Sequence, residues 1–244
     1  MTNLHVGTFS SMGFSHKENQ DYIISGHNYL ILSDGCSSSP HSSVGARLLC
    51  HNIELIRPQD LSGWHAVLDN CEIICSRLNL PVDCLCATLM WAEYNQDTNL
   101  VELKWIGDGS VAIRRRDTKE ISVETISFNL GAPYYLRYEI GMREQYIAEF
   151  SDLYNGDHSY FADFPNGIIL RSYNMDEFDL VTVFSDGVGS FSGLSIEEVV
   201  KETLNIKGYA GDFMYRRGQA AIKKFGAEGS LPYDDFTVGV ICKI

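Results

Sequence analysis

The sequence is poor in positive charge. It holds 19 Lys and Arg against 32 Asp and Glu, for a formal net charge of -13, and its longest basic run is Arg114-Arg115-Arg116. A nucleic-acid partner calls for a basic face that neutralises phosphates, so none is expected. No apolar run approaches the roughly 20 residues that cross a bilayer. Met1-Thr2-Asn3-Leu4-His5-Val6 lacks the charged-then-apolar layout of a secretory signal. Repeats, low-complexity tracts and dividing linkers are absent too. These absences lead to the expectation of a cytoplasmic, monomeric chain with no membrane partner, folded as one domain over residues 1–244. Cysteine is present but unhelpful as a staple: seven residues, an odd number, with none of the C-x2-C pairs of zinc sites. Cys71 and Cys75 are four apart on a predicted helix and are read as core packing. With 45% apolar and 21% charged residues, the chain is long enough to bury a core without cross-links.

Strand and helix signals alternate in blocks. His5 to Phe9 predicts a strand, as do Tyr22 to Ser25 and Tyr29 to Ser33 around the Gly26-His27-Asn28 turn. Apolar residues at Val44, Leu48, Leu49, Ile53 and Ile56 have helical spacing, with Ser42 or Ser43 as the cap. Trp64 to Leu80 predicts a second helix and Cys84 to Glu93 a strand. Leu100 to Ile106 and Ser110 to Arg115 flank Gly107-Asp108-Gly109, a hairpin signature. Ile121 to Phe128 predicts another strand. Pro133 to Gly167 lacks periodicity and is expected to be an irregular insertion or flap. Ile168 to Arg171 and Leu180 to Ser185 return to strand character. Ser195-Ile196-Glu197-Glu198 is a capping box opening a helix to about Leu204. Asp212 to Phe225 predicts a further helix and Phe236 to Cys242 a closing strand. Hairpin-joined strands with helices in separate blocks favour an α+β layered sandwich over a βαβ fold.

Four aspartates share one setting. Asp34 follows Tyr29-Leu30-Ile31-Leu32-Ser33 and precedes Gly35. Asp186 follows Leu180-Val181-Thr182-Val183-Phe184-Ser185 and precedes Gly187. Asp234 and Asp235 lead into Phe236-Thr237-Val238-Gly239-Val240. Each marks the end of an apolar strand, where a rigid scaffold can aim a side chain into a shared cleft. Hard oxygen ligands at such places suit Mg2+ or Mn2+, and paired ions can polarise a water and clamp a phosphoryl group. The plainer alternative is that Asp-Gly merely ends strands in turns. That suffices for any one motif and less well for three in order.

The ordered motifs resemble those of the metal-dependent PPM or PP2C-type protein phosphatases, particularly their compact bacterial branch. The matching segments are Gly13-Phe14-Ser15-His16-Lys17-Glu18-Asn19-Gln20-Asp21, Leu32-Ser33-Asp34-Gly35 with Ser43-Val44-Gly45-Ala46-Arg47, and Cys86-Ala87-Thr88-Leu89. Then come Trp105-Ile106-Gly107-Asp108-Gly109-Ser110, Phe184-Ser185-Asp186-Gly187-Val188 and Asp234-Asp235-Phe236-Thr237-Val238. They span nearly the whole chain. The resemblance implies a central antiparallel β-sandwich flanked by α-helices, in α-β-β-α layers, with metals at one end. It implies that Asp34 bridges two metals, the Gly35 carbonyl binds the second, and Asp186 and Asp234 complete the first. Asp21 would support the cluster, and Asp108 with Asp186 can hold a third ion. The implied activity is hydrolysis of phosphoserine or phosphothreonine in protein partners by a metal-bridging hydroxide. A phosphatase of small phosphate esters and a pseudophosphatase scaffold are the alternatives.

Departures from the family pattern are local. His16 and Lys17 stand where relatives carry a phosphate-gripping Arg, so they are the candidate phosphate contacts, although Lys cannot give a bidentate fork. Gln20 replaces a Glu. Cys36 follows Asp34-Gly35 where some relatives have a His, leaving His41 as a distant substitute. Asp235 replaces a common Asn and adds charge beside Asp234.

Overall fold

The computed structural model describes residues 3–128, 132–150 and 167–244. Its strands are β1 (Leu4–Ser11), β2 (Asp21–Ser25), β3 (Tyr29–Asp34), β4 (Leu89–Asn95), β5 (Leu100–Ile106), β6 (Gly109–Arg115), β7 (Ile121–Ile126), β8 (Ile169–Asn174), β9 (Phe178–Phe184) and β10 (Phe236–Lys243). The helices are α1 (Ser42–Ile56), α2 (Leu61–Arg77), α3 (Arg143–Phe150), α4 (Ile196–Thr203) and α5 (Phe213–Ala227). Two five-stranded sheets form, ordered β1-β10-β9-β6-β7 and β2-β3-β4-β5-β8. Every strand pairing in them is antiparallel.

The sequence alternates between two buried destinations. On β9, Val181 and Val183 join the core that holds both sheets together, while Leu180 and Phe184 face the other way. On β10, Ile241 points to the first of these layers and Val238, Val240 and Cys242 to the second. That second layer is closed by Val199 and Val200 of α4 and by Phe213, Met214 and Phe225 of α5. On the other sheet, Leu49 and Ile53 of α1 and Val67 and Leu68 of α2 complete the cover. Burial on both faces explains why these strands read as unbroken apolar runs rather than as alternation. The layers are α-β-β-α, as the sequence implies.

Helix starts follow local chemistry in two cases and defy it in one. Asp60 caps α2 by accepting from the Gly63 amide at 2.9 Å. The capping box at α4 closes as predicted: Ser195 Oγ accepts from Glu198 N at 3.2 Å, and the Glu198 carboxylate accepts from Ser195 N at 2.8 Å. The predicted cap of α1 fails. Ser42 and Ser43 lie inside the first turn, and His41 precedes it at φ 58° with no side-chain cap bond.

Two strand expectations need correction. Cys84 and Leu85 belong to a 3-10 turn, Val82–Leu85, and the strand starts at Leu89. Gly107-Asp108-Gly109 is not a hairpin. It carries the chain from β5 in one sheet to β6 in the other. Gly107 and Gly109 take φ of 86° and 133°, and a Cβ at Gly109 would lie 2.8 Å from the Phe184 carbonyl oxygen. An Asp-Gly turn and a sheet-to-sheet crossing need the same permissive residues, so local sequence does not separate them.

The 133–167 segment is more ordered than expected where it is described. It holds a 3-10 turn at Leu136–Glu139 and α3. Tyr134, Tyr138 and Tyr146 pack their rings together, with centroids 5.0 to 5.7 Å apart. Residues 151–166 of this predicted flap lie outside the described residues. All seven cysteines are free, and Cys71 and Cys75 sit in the core as packing. Among the described residues, no helix is long and apolar enough to cross a membrane.

Candidate metal centre

The site begins with strand register. Asp21 opens β2 and Asp34 closes β3, and the two are paired across the ladder. Asp34 is then fixed from the next strand: its amide donates to Thr88 Oγ1 at 3.2 Å, and its carbonyl accepts from Thr88 N at 2.8 Å. Gly35 bridges Ala87. The other sheet delivers Asp186 just after β9 and Asp234 just before β10. Their segments touch at Gly187, where a Cβ would lie 1.9 Å from the Asp235 carbonyl oxygen. Only glycine permits that approach, and it holds the two loops in one wall.

A cavity of about 250 Å3 results. Asp34, Gly35, Asp108, Asp186, Asp234 and Gln20 line it, with Cys36, Thr88, Pro133 and Tyr135 among the remaining walls. Asp21 is buried, at 4% exposure, and does not line the cavity. One of its oxygens, Oδ2, accepts from Ser185 Oγ at 2.7 Å. Among the described residues, no Lys or Arg lines the cavity.

The carboxylates are held in one another's field. Burial pushes the Asp34 carboxyl well above the usual carboxylate range. The charges of Asp21, Asp186 and Asp108 and a hydrogen bond with Asp186 add to the rise. Burial and the Asp234 charge raise Asp186 too, against the pull of that same hydrogen bond. Asp108 is pushed up to about 7 by burial and then by Asp186 and Asp234. Asp21 is raised by burial, in spite of hydrogen bonds from Thr237 and Ser185. Burial is the common and largest cause, and the charges of neighbouring carboxylates add to it.

This donor set fits divalent cations. Asp21 Oδ1 and Gln20 Oε1 are buried with no hydrogen-bond partner, which is costly unless a cation or its water is bound beside them. The oxygens are hard and acidic, as Mg2+ and Mn2+ require.

The predicted phosphate pair is placed differently from the carboxylates. His16 lies with Nδ1 2.9 Å from Asp235 Oδ2 and Nε2 3.4 Å from Asp234 Oδ1. Burial draws its pKa down, but the hydrogen bond to Asp235 and the charges of Asp235, Asp234 and Asp186 outweigh that and raise it. Lys17 is exposed, and neither residue lines the cavity. His41, exposed at the start of α1, does not line it either.

Ligand atoms of His16, Asp234 and Asp235 lie within 4.8 Å of one another. We read this trio as a brace, because Asp235 is already committed. Its Oδ1 accepts from Gly13 N at 2.8 Å and its Oδ2 from Gln20 N at 2.6 Å. The extra charge at Asp235 therefore serves the 13–20 loop and His16. The roles of Asp235, Thr88 and Ser185 were missed by sequence reasoning, although all three sit inside the quoted motifs.

A sandwich of this layering, with carboxylates from both sheets meeting at one end, is the fold of the PP2C-type phosphatases. PppA, a key regulatory component of T6SS in Pseudomonas aeruginosa, matches at TM-score 0.60 and 15% identity, over 99% of this chain and 98% of that one. The serine/threonine phosphatase PstP/Ppp of Mycobacterium tuberculosis matches at TM-score 0.60 and 16% identity, over 99% of each chain. The catalytic domain of the serine/threonine protein phosphatase PstP, solved with two manganese ions, matches at TM-score 0.60 and 17% identity over 100% of both. At these identities the likeness is one of fold. No known family is matched by the sequence itself, and no curated protein is significantly similar to it.

Proposed function

We propose that this chain is a metal-dependent protein phosphatase that hydrolyses phosphoserine and phosphothreonine with water, rather than a side chain, as nucleophile. The observation that carries the reading is the cavity itself: among the described residues, four aspartates line it and no Lys or Arg does. Asp34, the Gly35 carbonyl, Asp186 and Asp234 would hold two divalent cations of the Mn2+ or Mg2+ kind, with Asp21 behind them, and Asp108 beside Asp186 suits a third. Bound there, such ions supply Lewis acidity, lower the pKa of water and orient the phosphoryl group.

The chain's own residues provide the frame. Thr88 fixes the backbone of Asp34, and Ser185 fixes Asp21. Asp235 ties the 13–20 loop to the strand that carries Asp234. His16 contacts Asp234 Oδ1 and limits its rotation, while Lys17 offers a point charge from the same loop. Pro133 and Tyr135 narrow the cavity and exclude part of its water. Among the described residues no histidine lines the cavity, and water would then supply the proton of the leaving serine or threonine oxygen. We take residues 1–244 as one catalytic domain, with 133–167 as its flap. It would act as a monomer on phosphorylated proteins in the cytoplasm, where free cysteines stay reduced.

Purified protein should hydrolyse an aryl phosphate and a phosphothreonine peptide with Mn2+ or Mg2+, and EDTA should stop both. Turnover of the aryl ester without competition from the peptide would instead mark a small-ester phosphatase. Metal binding with no turnover would mark a pseudophosphatase.

A further inference from the structure

Two surface segments that lead to cavity residues expose aromatic rings. Phe14 is 65% exposed and Tyr233 58% exposed. Their rings pack edge to face, with centroids 5.2 Å apart. The neighbours Met12 and Leu231 are exposed as well. These four are among the eleven large apolar side chains exposed across the described residues.

The pair is held rigidly. Phe14 N donates to Pro232 O at 3.1 Å, and Ser15 N donates to Tyr233 O at 3.2 Å. Ser15 Oγ donates to that same carbonyl at 2.7 Å. At Gly13 a Cβ would lie 2.3 Å from the Asp234 carbonyl carbon, so the two segments are in backbone contact.

The location is as telling as the exposure. Tyr233 directly precedes Asp234, which lines the cavity. Phe14 is two residues from His16, which touches Asp234. Phe14 and Tyr233 therefore sit on the two segments that carry Asp234 and its contact His16, next to the cavity without lining it. Exposed apolar clusters on a rigid backbone mark binding surfaces, and aromatic anchors dominate binding energy at them.

We propose that Phe14 and Tyr233 form a docking ledge for the polypeptide that carries the phosphorylated residue, gripping an apolar side chain close to it in sequence. This deepens the phosphatase reading and rests on it. The rest of the occupant's chemistry follows from charge. Bound cations would offset the cavity's aspartates, but those are few of the 32 acidic residues set against 19 basic ones, and the whole chain carries a net charge of -13. The favoured segment thus pairs its apolar residue with basic rather than acidic neighbours.

The test compares three phosphothreonine peptides, one with Leu or Phe beside the phosphoresidue and Arg further out, one with Ala in place of the apolar residue, and one with Glu in place of Arg. Each is assayed with Mn2+ against an aryl phosphate, in wild type, Phe14→Ala and Tyr233→Ala, with folding checked by thermal melting. Binding of the same labelled peptides is followed by fluorescence anisotropy. The wild type should prefer the apolar, basic peptide. Each substitution should lower the ratio of its kcat/KM to that of the aryl ester by about tenfold, the scale of a truncated aromatic anchor. Phe14→Leu should restore part of the ratio. An unchanged ratio in folded variants, with aryl-ester turnover intact, overturns the ledge and leaves the phosphatase reading standing. Absent turnover of every ester overturns the phosphatase reading. In that case anisotropy still decides the ledge: peptide preference lost in Phe14→Ala supports it, and no preference overturns it. A wild-type dimer that dissociates in Phe14→Ala without a change in peptide preference assigns the surface to self-association and overturns the proposal.

Discussion

Asp179 and Asp186 sit near the two ends of one strand and live in opposite electrostatic worlds. Asp179, inside β9, accepts from Arg114 Nε at 2.7 Å and from Lys119 Nζ at 2.5 Å. Arg114 is further tied to Tyr209, whose hydroxyl lies 3.0 Å from Nη2. Asp186, just past the strand's end, shares a cavity with Asp34, Asp108 and Asp234 that, among the described residues, no Lys or Arg lines. One carboxylate has its counter-charge supplied by the fold. The other is set mainly among carboxylates, with His16 the opposing charge that reaches it, so the fold spends stability there that a bound cation would return. Where a buried charge is paired internally it serves architecture, and where it is left wanting a partner of opposite sign it serves a ligand.

The comparison breaks most easily at Asp34. Asp34→Asn, and separately Asp186→Asn, should cut metal-dependent hydrolysis by about a thousandfold or more, the scale of losing an electrostatic anchor at a reacting centre. Melting in EDTA should show either variant no less stable than wild type, because each removes a repelled charge. A variant that keeps full turnover would dissolve the contrast.

Asp179→Ala should do the reverse. It strands Arg114, which is largely buried, and should lower unfolding stability by about 3 kcal/mol, read from urea denaturation. Divalent metal binding in the folded variant should be retained.

Ser185→Ala should act between these extremes. It removes the hydroxyl that donates to Asp21 Oδ2. Mn2+ affinity, measured by titration calorimetry, should fall about tenfold, as expected for a residue that orients a ligand from behind.

The smallest effect is a slope with pH. A carboxyl raised in the folded state binds protons there that it releases in the unfolded chain, so stability falls as pH climbs between the two values. For Asp108 that window runs from the ordinary 3.8 to about 7, and Asp34 and Asp21 shift in the same direction. Metal-free protein should therefore melt at lower temperature near neutrality than at mildly acidic pH. Saturating Mn2+ should flatten or invert that slope. A metal-free melting temperature that rises through this window would show that burial and neighbouring charge do not raise these carboxyls.

Much of the fold could be read from residues whose information is local. The capping box at Ser195, the β2–β3 pair and the helix of Val44 to Ile56 rest on contacts a few residues apart. Gly107-Asp108-Gly109 was misread as a hairpin because its turn chemistry is the same whether the next strand pairs with the last or joins another sheet. The α1 cap was misplaced because tertiary packing draws Ser42 and Ser43 into the buried first turn.

By itself, the amino-acid sequence determined the building blocks: apolar strands ending in aspartate, glycines where the backbone must turn or touch, and an acidic balance of charge. Those properties belong to short windows of chain, and short windows suffice to express them. Only the tertiary structure decided which aspartates share a cavity, that Asp235 braces a loop while Asp234 faces the cleft, and that Phe14 meets Tyr233. Each of those outcomes joins residues distant in the chain, and burial and like-charge repulsion take their size only once such residues have been brought together.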